Sequence, residues 1–192
     1  MKTTISYSEA RGIFDKYLKT EYLRFHCRET EVIMRALARH LGQNEDFWGI
    51  TGLLHDLDLD QIGDNMLLHG QKTVDLLKDE GYDIPELFDA ILSHVEGIEG
   101  VPYKRETDFQ FILAGAENIT GLITAYVILR PEKKIEGVKV KSIMKKFKSP
   151  AFAAKVSREF IRDAADHANM ELNEFIGISI EAMQGIADEI GM

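Results

Sequence analysis

Several features that decide the class of a protein are scarce or missing in this chain of 192 residues. Its single cysteine, Cys27, excludes an internal disulfide and a site built from several thiolates, and it favours a reducing compartment. No uninterrupted apolar run approaches the ~20 residues that a bilayer span needs. Residues 1–6 lack the apolar core of a signal peptide. We therefore expect a soluble cytoplasmic protein that makes no membrane contact.

Positive charge is also scarce, except in one segment. The net charge of −9 argues against general nucleic-acid binding. Residues 130–148 nevertheless carry eight basic residues against two acidic ones. We interpret this basic strip as the solvated face of a short helix. In the alternative interpretation, Lys134, Lys141 or Lys145 binds a substrate phosphate as a point charge.

The apolar residues recur with the helical period along most of the chain, and strand-like alternation is rare. No internal repeat or low-complexity linker divides the chain, so we predict one all-α domain, a helical bundle, over residues 1–192. Loops are expected at 58–65 and 96–104, where glycines interrupt the pattern. Helices are predicted at about 8–18, 21–41, 45–55, 66–80, 85–95, 107–129 and 140–147, then from 149 and over 171–190.

The stretch from Gly52 to Asp60 combines an apolar helix end with closely spaced acids. His55 and Asp56 follow a buried run directly, and Asp58 and Asp60 come next at two-residue steps. Burying an unpaired carboxylate costs far more hydration than apolar neighbours return, unless the carboxylate binds something. A metal ion is one such partner.

Five polar residues that can bind a metal lie on the apolar faces of five separate predicted helices. Any one of them is more simply interpreted as a hydrogen-bonded core residue. Taken together they would need five separate buried partners, whereas one bound cation satisfies them all. These residues are His26, His55, His69, His94 and Glu117.

The ordered set resembles the HD-domain superfamily of metal-dependent phosphohydrolases, and specifically its members with two metals. The resemblance implies an all-α bundle with a metal-site core at about 20–130 and a C-terminal helical extension at about 131–192. It rests on six residues in this order: His26, His55, Asp56, His69, His94 and Glu117.

The resemblance also implies a chemistry and a set of roles. One or two divalent transition metals (Mn, Fe, Co, Ni or Zn) would be held, with Asp56 shared between the ions. A metal-activated water would then attack a phosphate ester or anhydride of a small molecule, with a nucleotide as the expected substrate. Asp58 and Asp60 would supply a general acid or hold the attacking water, and the alternative is a solvated pair of acids at a helix end. Lys141 and Lys145 are the candidate phosphate contacts.

Two departures from the family pattern keep other functions open. Glu117 stands where the superfamily has Asp, and Leu59 stands where many members carry Lys. Both favour the alternative of a catalytically weak HD domain that binds metal and nucleotide for regulation. A third hypothesis is a structural helical protein whose inward histidines bind no metal. No phosphate-cradling glycine loop identifies a substrate. The apolar C-terminal helix is expected to dock either on the core of its own chain or on a second copy in a dimer.

Overall fold

The computed structural model describes residues 1–192 as ten α-helices with one 3₁₀ turn at Met66–Leu68 and no β-strand. The prediction of an all-α protein is confirmed. The helices are α1 (Tyr7–Tyr17), α2 (Glu21–His40), α3 (Glu45–Leu54), α4 (Leu59–Ile62), α5 (Gln71–Asp79), α6 (Pro85–His94), α7 (Asp108–Ile128), α8 (Val140–Phe147), α9 (Arg158–His167) and α10 (Leu172–Gln184).

Polar caps set several of the helix starts. Before α7, the Thr107 hydroxyl accepts a hydrogen bond from the Gln110 amide at 3.4 Å, and the Gln110 side chain accepts one from the Thr107 amide at 3.1 Å. This reciprocal pair satisfies two amides that a helix start leaves unbonded. Asn44 caps α3 in the simpler way, by accepting from the Phe47 amide at 3.0 Å.

The predicted helix over 66–80 is wrong at its start, and the difference determines where His69 lies. The 3₁₀ turn ends at Leu68, His69 is extended, and Gly70 has φ +77°. A Cβ on Gly70 would lie 3.0 Å from the carbonyl oxygen of Ile91. The bend therefore favours glycine for two reasons, the positive φ angle and the lack of space for a side chain. His69 therefore lies in the bend between the 3₁₀ turn and α5.

Three further boundaries differ from the prediction. The loop expected after the His-Asp pair contains the short helix α4. Helix α9 begins at Arg158 and not near residue 149, because the preceding segment forms turns whose carbonyl oxygens at Ala153 and Val156 accept hydrogen bonds from the Arg158 guanidinium. Helix α10 ends at Gln184, earlier than predicted.

Helix α7 lies at the centre of the bundle, where it contacts α2, α6, α8, α9 and α10. The buried apolar side chains form two clusters: one joins α2 and α7 to the C-terminal helices, and the other joins α1, α3, α5 and α6. Phe175, Ile176 and Met183 of α10 are buried in the first cluster. The apolar face of α10 is therefore covered by its own chain.

Helix α7 also corrects the expectation that no segment is apolar enough to span a membrane. By length and composition alone, Asp108–Ile128 passes that test, with a mean hydropathy of 1.5. Over half of the same segment is buried inside the bundle. Its apolar character is therefore explained by its position as the core helix.

Helices α2 and α3 approach closely at Gly52. An added Cβ at this position would lie 2.9 Å from the carbonyl oxygen of Thr30 and 3.0 Å from the Cα of Glu31, both in the α2 backbone. These contacts are too short for a side chain, so the glycine sets the distance between the two helices. His26 on α2 and His55 after α3 are brought together by this contact.

We expect Gly52→Ala to destabilise the protein by about 1–3 kcal/mol, because the methyl group meets backbone and not a flexible side chain. Gly12→Ala in the exposed part of α1 is the matched control, since nothing lies within 4 Å of its Cβ position. The control should be neutral or stabilise by up to about 1 kcal/mol. Urea unfolding followed by circular dichroism measures both, and equal effects would contradict the close-contact interpretation.

Candidate metal centre

The His-Asp pair lies at the seam between the two apolar clusters, directly after the last residue of α3. His55 is fully buried, and Asp56 is 5% exposed. The Nδ1 atom of His55 lies 2.8 Å from the carbonyl oxygen of Gly52, one turn back. The helix end thus holds the imidazole with its Nε2 atom directed toward the Asp56 carboxylate.

Three other histidines reach the same carboxylate from separate elements. Its Oδ2 atom lies 3.4 Å from Nε2 of His26 on α2 and 3.3 Å from Nε2 of His55. Its Oδ1 atom lies 3.5 Å from Nε2 of His69 and 3.3 Å from Nε2 of His94, the last residue of α6. Asp56 is thus shared by two triads, each with ligand atoms within 4.8 Å of one another.

In every one of these histidines, the other ring nitrogen has a partner that accepts a hydrogen bond. Nδ1 must then carry the proton, which leaves Nε2 as a lone-pair donor for a metal. This arrangement is typical of metal-ligating histidines, whose orientation is fixed through the far nitrogen. The acceptors are Thr120 Oγ1 for His26 at 2.9 Å, Gly52 O for His55 at 2.8 Å, Asp58 Oδ1 for His69 at 3.0 Å and Ile91 O for His94 at 2.5 Å.

Two atoms of the cluster are buried without any hydrogen-bond partner: Oδ1 of Asp56 and Nε2 of His94. They lie 3.3 Å apart, and both are acceptors when Nδ1 of His94 carries the proton. Two lone pairs that face each other in a buried site repel, and leaving such groups unsatisfied costs about 1–3 kcal/mol each. A cation between them removes both penalties.

The histidines of the metal-free cluster differ in charge: the His94 ring is neutral, whereas the His26 ring holds a second proton that a metal at its Nε2 atom would displace. Burial lowers the pKa of His94 to about 4, so its ring is neutral and able to ligate. Burial also opposes a charge on His26, but the hydrogen bond and charge of Asp56 outweigh it and raise the pKa of His26 to about 9. Burial would likewise raise the pKa of Asp56, yet the surrounding imidazoles hold it well below its usual range.

Glu117 on α7 lies beside the cluster but belongs to neither triad. Its side chain lines a cavity with Asp56, His69 and His94, and burial raises its pKa to about 7. One carboxylate oxygen accepts a hydrogen bond from the Asn118 side chain. Five of the six predicted ligands therefore share close contacts, and the sixth faces the same cavity.

Asp58 contacts the cluster through a histidine. It is fully buried, and its Oδ1 accepts from Nδ1 of His69 at 3.0 Å while its Oδ2 accepts from the Gly70 amide at 2.7 Å. Both oxygens are therefore engaged away from any substrate. The structure does not support the expectation that Asp58 is a general acid, and it shows a carboxylate that orients His69.

Asp60 is not part of the cluster. Its Oδ2 atom accepts hydrogen bonds from the backbone amides of Lys19 and Thr20, at 2.5 and 2.9 Å, and its Oδ1 accepts from the Thr20 hydroxyl. The carboxylate thus holds the turn between α1 and α2. These contacts give Asp60 a structural role and do not support its expected catalytic role, which stays a prediction.

The structure does not bring the predicted phosphate contacts, Lys141 and Lys145, to the cluster. Both are exposed on α8, and neither lines a cavity that reaches Asp56. Two other cations, which sequence reasoning missed, lie beside the cavities that reach Asp56. Lys133 lines a cavity that includes His26, and Arg105 lies behind the other one.

Arg105 lies in the loop before α7, with its side chain 5% exposed. Its guanidinium lies 3.8 Å from the centre of the Phe160 ring and 3.3 Å from a carboxylate oxygen of Glu96. The Nε and Nη1 atoms have no hydrogen-bond partner. No sequence signal identifies this residue, because it is an isolated arginine in a loop.

Two cavities meet at Asp56 from different sides. The His94-side cavity has a volume of about 330 Å³ and is bounded by His69, His94, Glu117 and Phe160. The His26-side cavity has a volume of about 570 Å³ and extends between α2, α7 and the C-terminal residues. The buried cluster is therefore accessible from both sides.

The structure reveals a buried carboxyl group, Glu29, in the wall of the His26-side cavity. It is 3% exposed and accepts hydrogen bonds from the Thr124 hydroxyl at 3.2 and 3.3 Å. Burial raises its pKa to about 7. Its position three residues after His26, on the same face of α2, is the sequence signal that points to it.

The residues of the cluster lie within a segment that matches a known protein family. The family model for the HD domain matches residues 24–128, more than half of the chain. The chain belongs to the HD-domain family. Searches among curated proteins and among solved structures found no match. HD-domain proteins are generally metal-dependent hydrolases, and the buried His/Asp cluster lies inside the matched range.

Glu29 should make stability depend on pH in the metal-free protein. Burial raises its folded-state pKa from the ordinary value of 4.5 to about 7, so its contribution to stability is full below pH 4.5 and is lost as the pH rises through 7. Glu29→Gln cannot ionise. We expect the variant to gain up to about 3 kcal/mol relative to the parent between pH 5 and pH 8.

Urea unfolding of both proteins at the two pH values measures this gain. The contribution of Glu117 is common to both proteins and cancels in the difference. Glu21→Gln, at an exposed position of the same helix, is the control and should show no such change. A stability difference between Glu29→Gln and the parent that stays constant with pH would contradict the assignment.

Proposed function

We propose that this HD-domain protein is a metal-dependent phosphohydrolase that cleaves a phosphate ester or anhydride of a small molecule. The observation that supports it most strongly is the pair of unpartnered acceptors, Asp56 Oδ1 and His94 Nε2, buried 3.3 Å apart. Nucleotides are the first substrates to test, because the family resemblance indicates them. The chain would act in the cytoplasm.

The donor set fits one or two divalent metals. We assign His26, His55 and Asp56 to one ion, and Asp56, His69 and His94 to a second, with Glu117 completing the set from α7. Imidazole and carboxylate donors favour Mn, Fe, Co, Ni or Zn over Ca. When bound, such ions lower the pKa of a coordinated water and neutralise phosphoryl oxygens.

The residues of the chain contribute orientation and electrostatics. Asp58 and Thr120 hold the His69 and His26 rings through Nδ1, so both Nε2 atoms face Asp56 before any ligand binds. Hydrolysis joins the oxygen of water to phosphorus, breaks the bond to the leaving oxygen and delivers a proton to that oxygen. The two cavities at Asp56 give the water and the leaving group separate approaches.

The volumes of the two cavities, about 330 and 570 Å³, suit a small molecule. The net charge of −9 disfavours an extended polyanion such as nucleic acid. We therefore propose a small phosphorylated substrate. The regulatory alternative, a domain that binds metal and nucleotide with little turnover, is supported by Leu59, which places an apolar side chain beside Asp56.

The proposed activity is tested with p-nitrophenyl esters and nucleoside phosphates in the presence of Mn, Fe, Co, Ni or Zn. Asp56→Asn should lower kcat/KM by at least about 100-fold, since it removes the ligand shared by both triads. Asp60→Asn is the matched control and should retain activity. Equal activity in the two variants would contradict the site. Stable metal binding without hydrolysis of any substrate would select the regulatory alternative.

Asp58→Asn should weaken binding of the second metal by about 10–100-fold, because the oriented His69 loses its carboxylate partner. We expect the activity to recover at high metal concentration, with the pH profile of kcat unchanged. Metal titrations of activity measure this. If saturating metal does not restore the activity and one limb of the pH profile of kcat is missing, Asp58 acts as a general acid and this interpretation is contradicted.

A further inference from the structure

The His26-side cavity differs in chemistry from the cluster that it reaches. Tyr22, Leu23 and Phe25 of α2 form one wall, and Val127 and Ile128 of α7 form another. The last residues of the chain, from Ile190 onward, close a third side. The cavity is therefore a largely apolar space of about 570 Å³ that ends at Asp56 and His26.

The few polar groups in this cavity are accounted for. Glu29 and Thr124 are hydrogen-bonded to each other, Thr120 is hydrogen-bonded to His26 and to the carbonyl oxygen of Glu117, and Tyr22 and Lys133 are exposed. Leu59, three residues after Asp56, adds another apolar side chain at the inner end. A ligand group that fills this space meets hydrocarbon and few free hydrogen-bonding partners.

We propose that the substrate carries an apolar group, a short alkyl chain or an aryl ring, which occupies the His26-side cavity while its phosphate contacts the metal centre. This inference rests on the proposed function and narrows its substrate class. Asp56 lines both cavities, so a phosphate held there can direct its organic group into the larger one. Each buried methylene group should then strengthen binding about fourfold.

A nucleotide fits this cavity less well. Its base and sugar present ring nitrogens, amines and hydroxyls that lose hydration on burial and need partners. The wall offers Glu29, Thr120 and Thr124, which are already hydrogen-bonded within the protein, and the exposed Tyr22 and Lys133. An alkyl or aryl ester needs none of these partners, so the cavity favours it over a nucleoside.

Phosphonates test the proposal, because their carbon–phosphorus bond resists hydrolysis. Binding of methyl-, butyl-, hexyl- and phenylphosphonate to the Mn²⁺-loaded protein is measured by isothermal titration calorimetry at several temperatures. We expect affinity to rise about fourfold per methylene until the cavity is full, with an increasingly negative heat capacity change. A methylenephosphonate analogue of AMP should bind more weakly than hexylphosphonate.

Variants locate the binding to this cavity. Leu59→Lys places an ammonium group at its inner end and should abolish the gain from methyl- to hexylphosphonate. Ile128→Lys, at a position 59% exposed and therefore harmless to folding, should reduce the same gain. Leu129→Lys on the neighbouring surface, 66% exposed and outside the cavity, is the matched control and should change nothing.

The possible outcomes distinguish failure of the apolar specificity from failure of the proposed function. Phosphonate affinities that are independent of chain length, in a protein that binds Mn²⁺ and hydrolyses phosphate esters, would overturn the apolar specificity alone. Tighter binding of the AMP analogue than of hexylphosphonate would overturn it in favour of a nucleotide. Absence of both Mn²⁺ binding and hydrolysis would overturn the proposed function itself.

Discussion

One buried carboxylate, that of Asp56, faces the Nε2 atoms of four histidines, and the rest of the structure depends on this contact. Each oxygen of the carboxylate has two imidazoles at 3.3–3.5 Å, and every far nitrogen is fixed by another acceptor. Without a cation, a proton on His26 balances the charge of Asp56, which raises the pKa of His26 to about 9. His94 stays neutral, and its Nε2 atom has no hydrogen-bond partner. As a hydrogen-bond network the cluster leaves two buried acceptors unsatisfied, and the same atoms could hold a metal ion.

The helical bundle brings the four histidines, Asp56 and Glu117 together from five separate segments. Gly52 allows α2 and α3 to approach, Gly70 allows the bend that holds His69 to lie against α6, and α7 supplies Glu117. Two apolar clusters enclose the seam on either side, which removes water from the carboxylate and makes a cation its most favourable partner. The close approaches at Gly52 and Gly70 therefore also position the ligands.

Much of this arrangement was predictable from the sequence, and the exceptions have physical reasons. The helical period and the order of His26, His55–Asp56, His69 and His94 were sufficient to predict the fold class and the cluster. The roles of Asp58 and Asp60 were not predictable, because the partners of a short carboxylate depend on which backbone amides the fold places beside it: Gly70 for one, Lys19 and Thr20 for the other. Arg105 was not predicted, and the phosphate contacts at Lys141 and Lys145 are not brought to the site, for the same reason: distance from the site is a property of the tertiary fold.

Two cavities reach Asp56, and the proposed function and the proposed substrate both depend on the metal ions that this carboxylate is inferred to hold. The most direct measurement is anomalous diffraction from crystals grown with Mn²⁺ or Zn²⁺. Two anomalous peaks that flank the Asp56 carboxylate, one near Nε2 of His26 and His55 and one near Nε2 of His69 and His94, would match the account. No peak at this carboxylate at saturating metal would contradict it, and the inward histidines would then belong to a structural helical bundle.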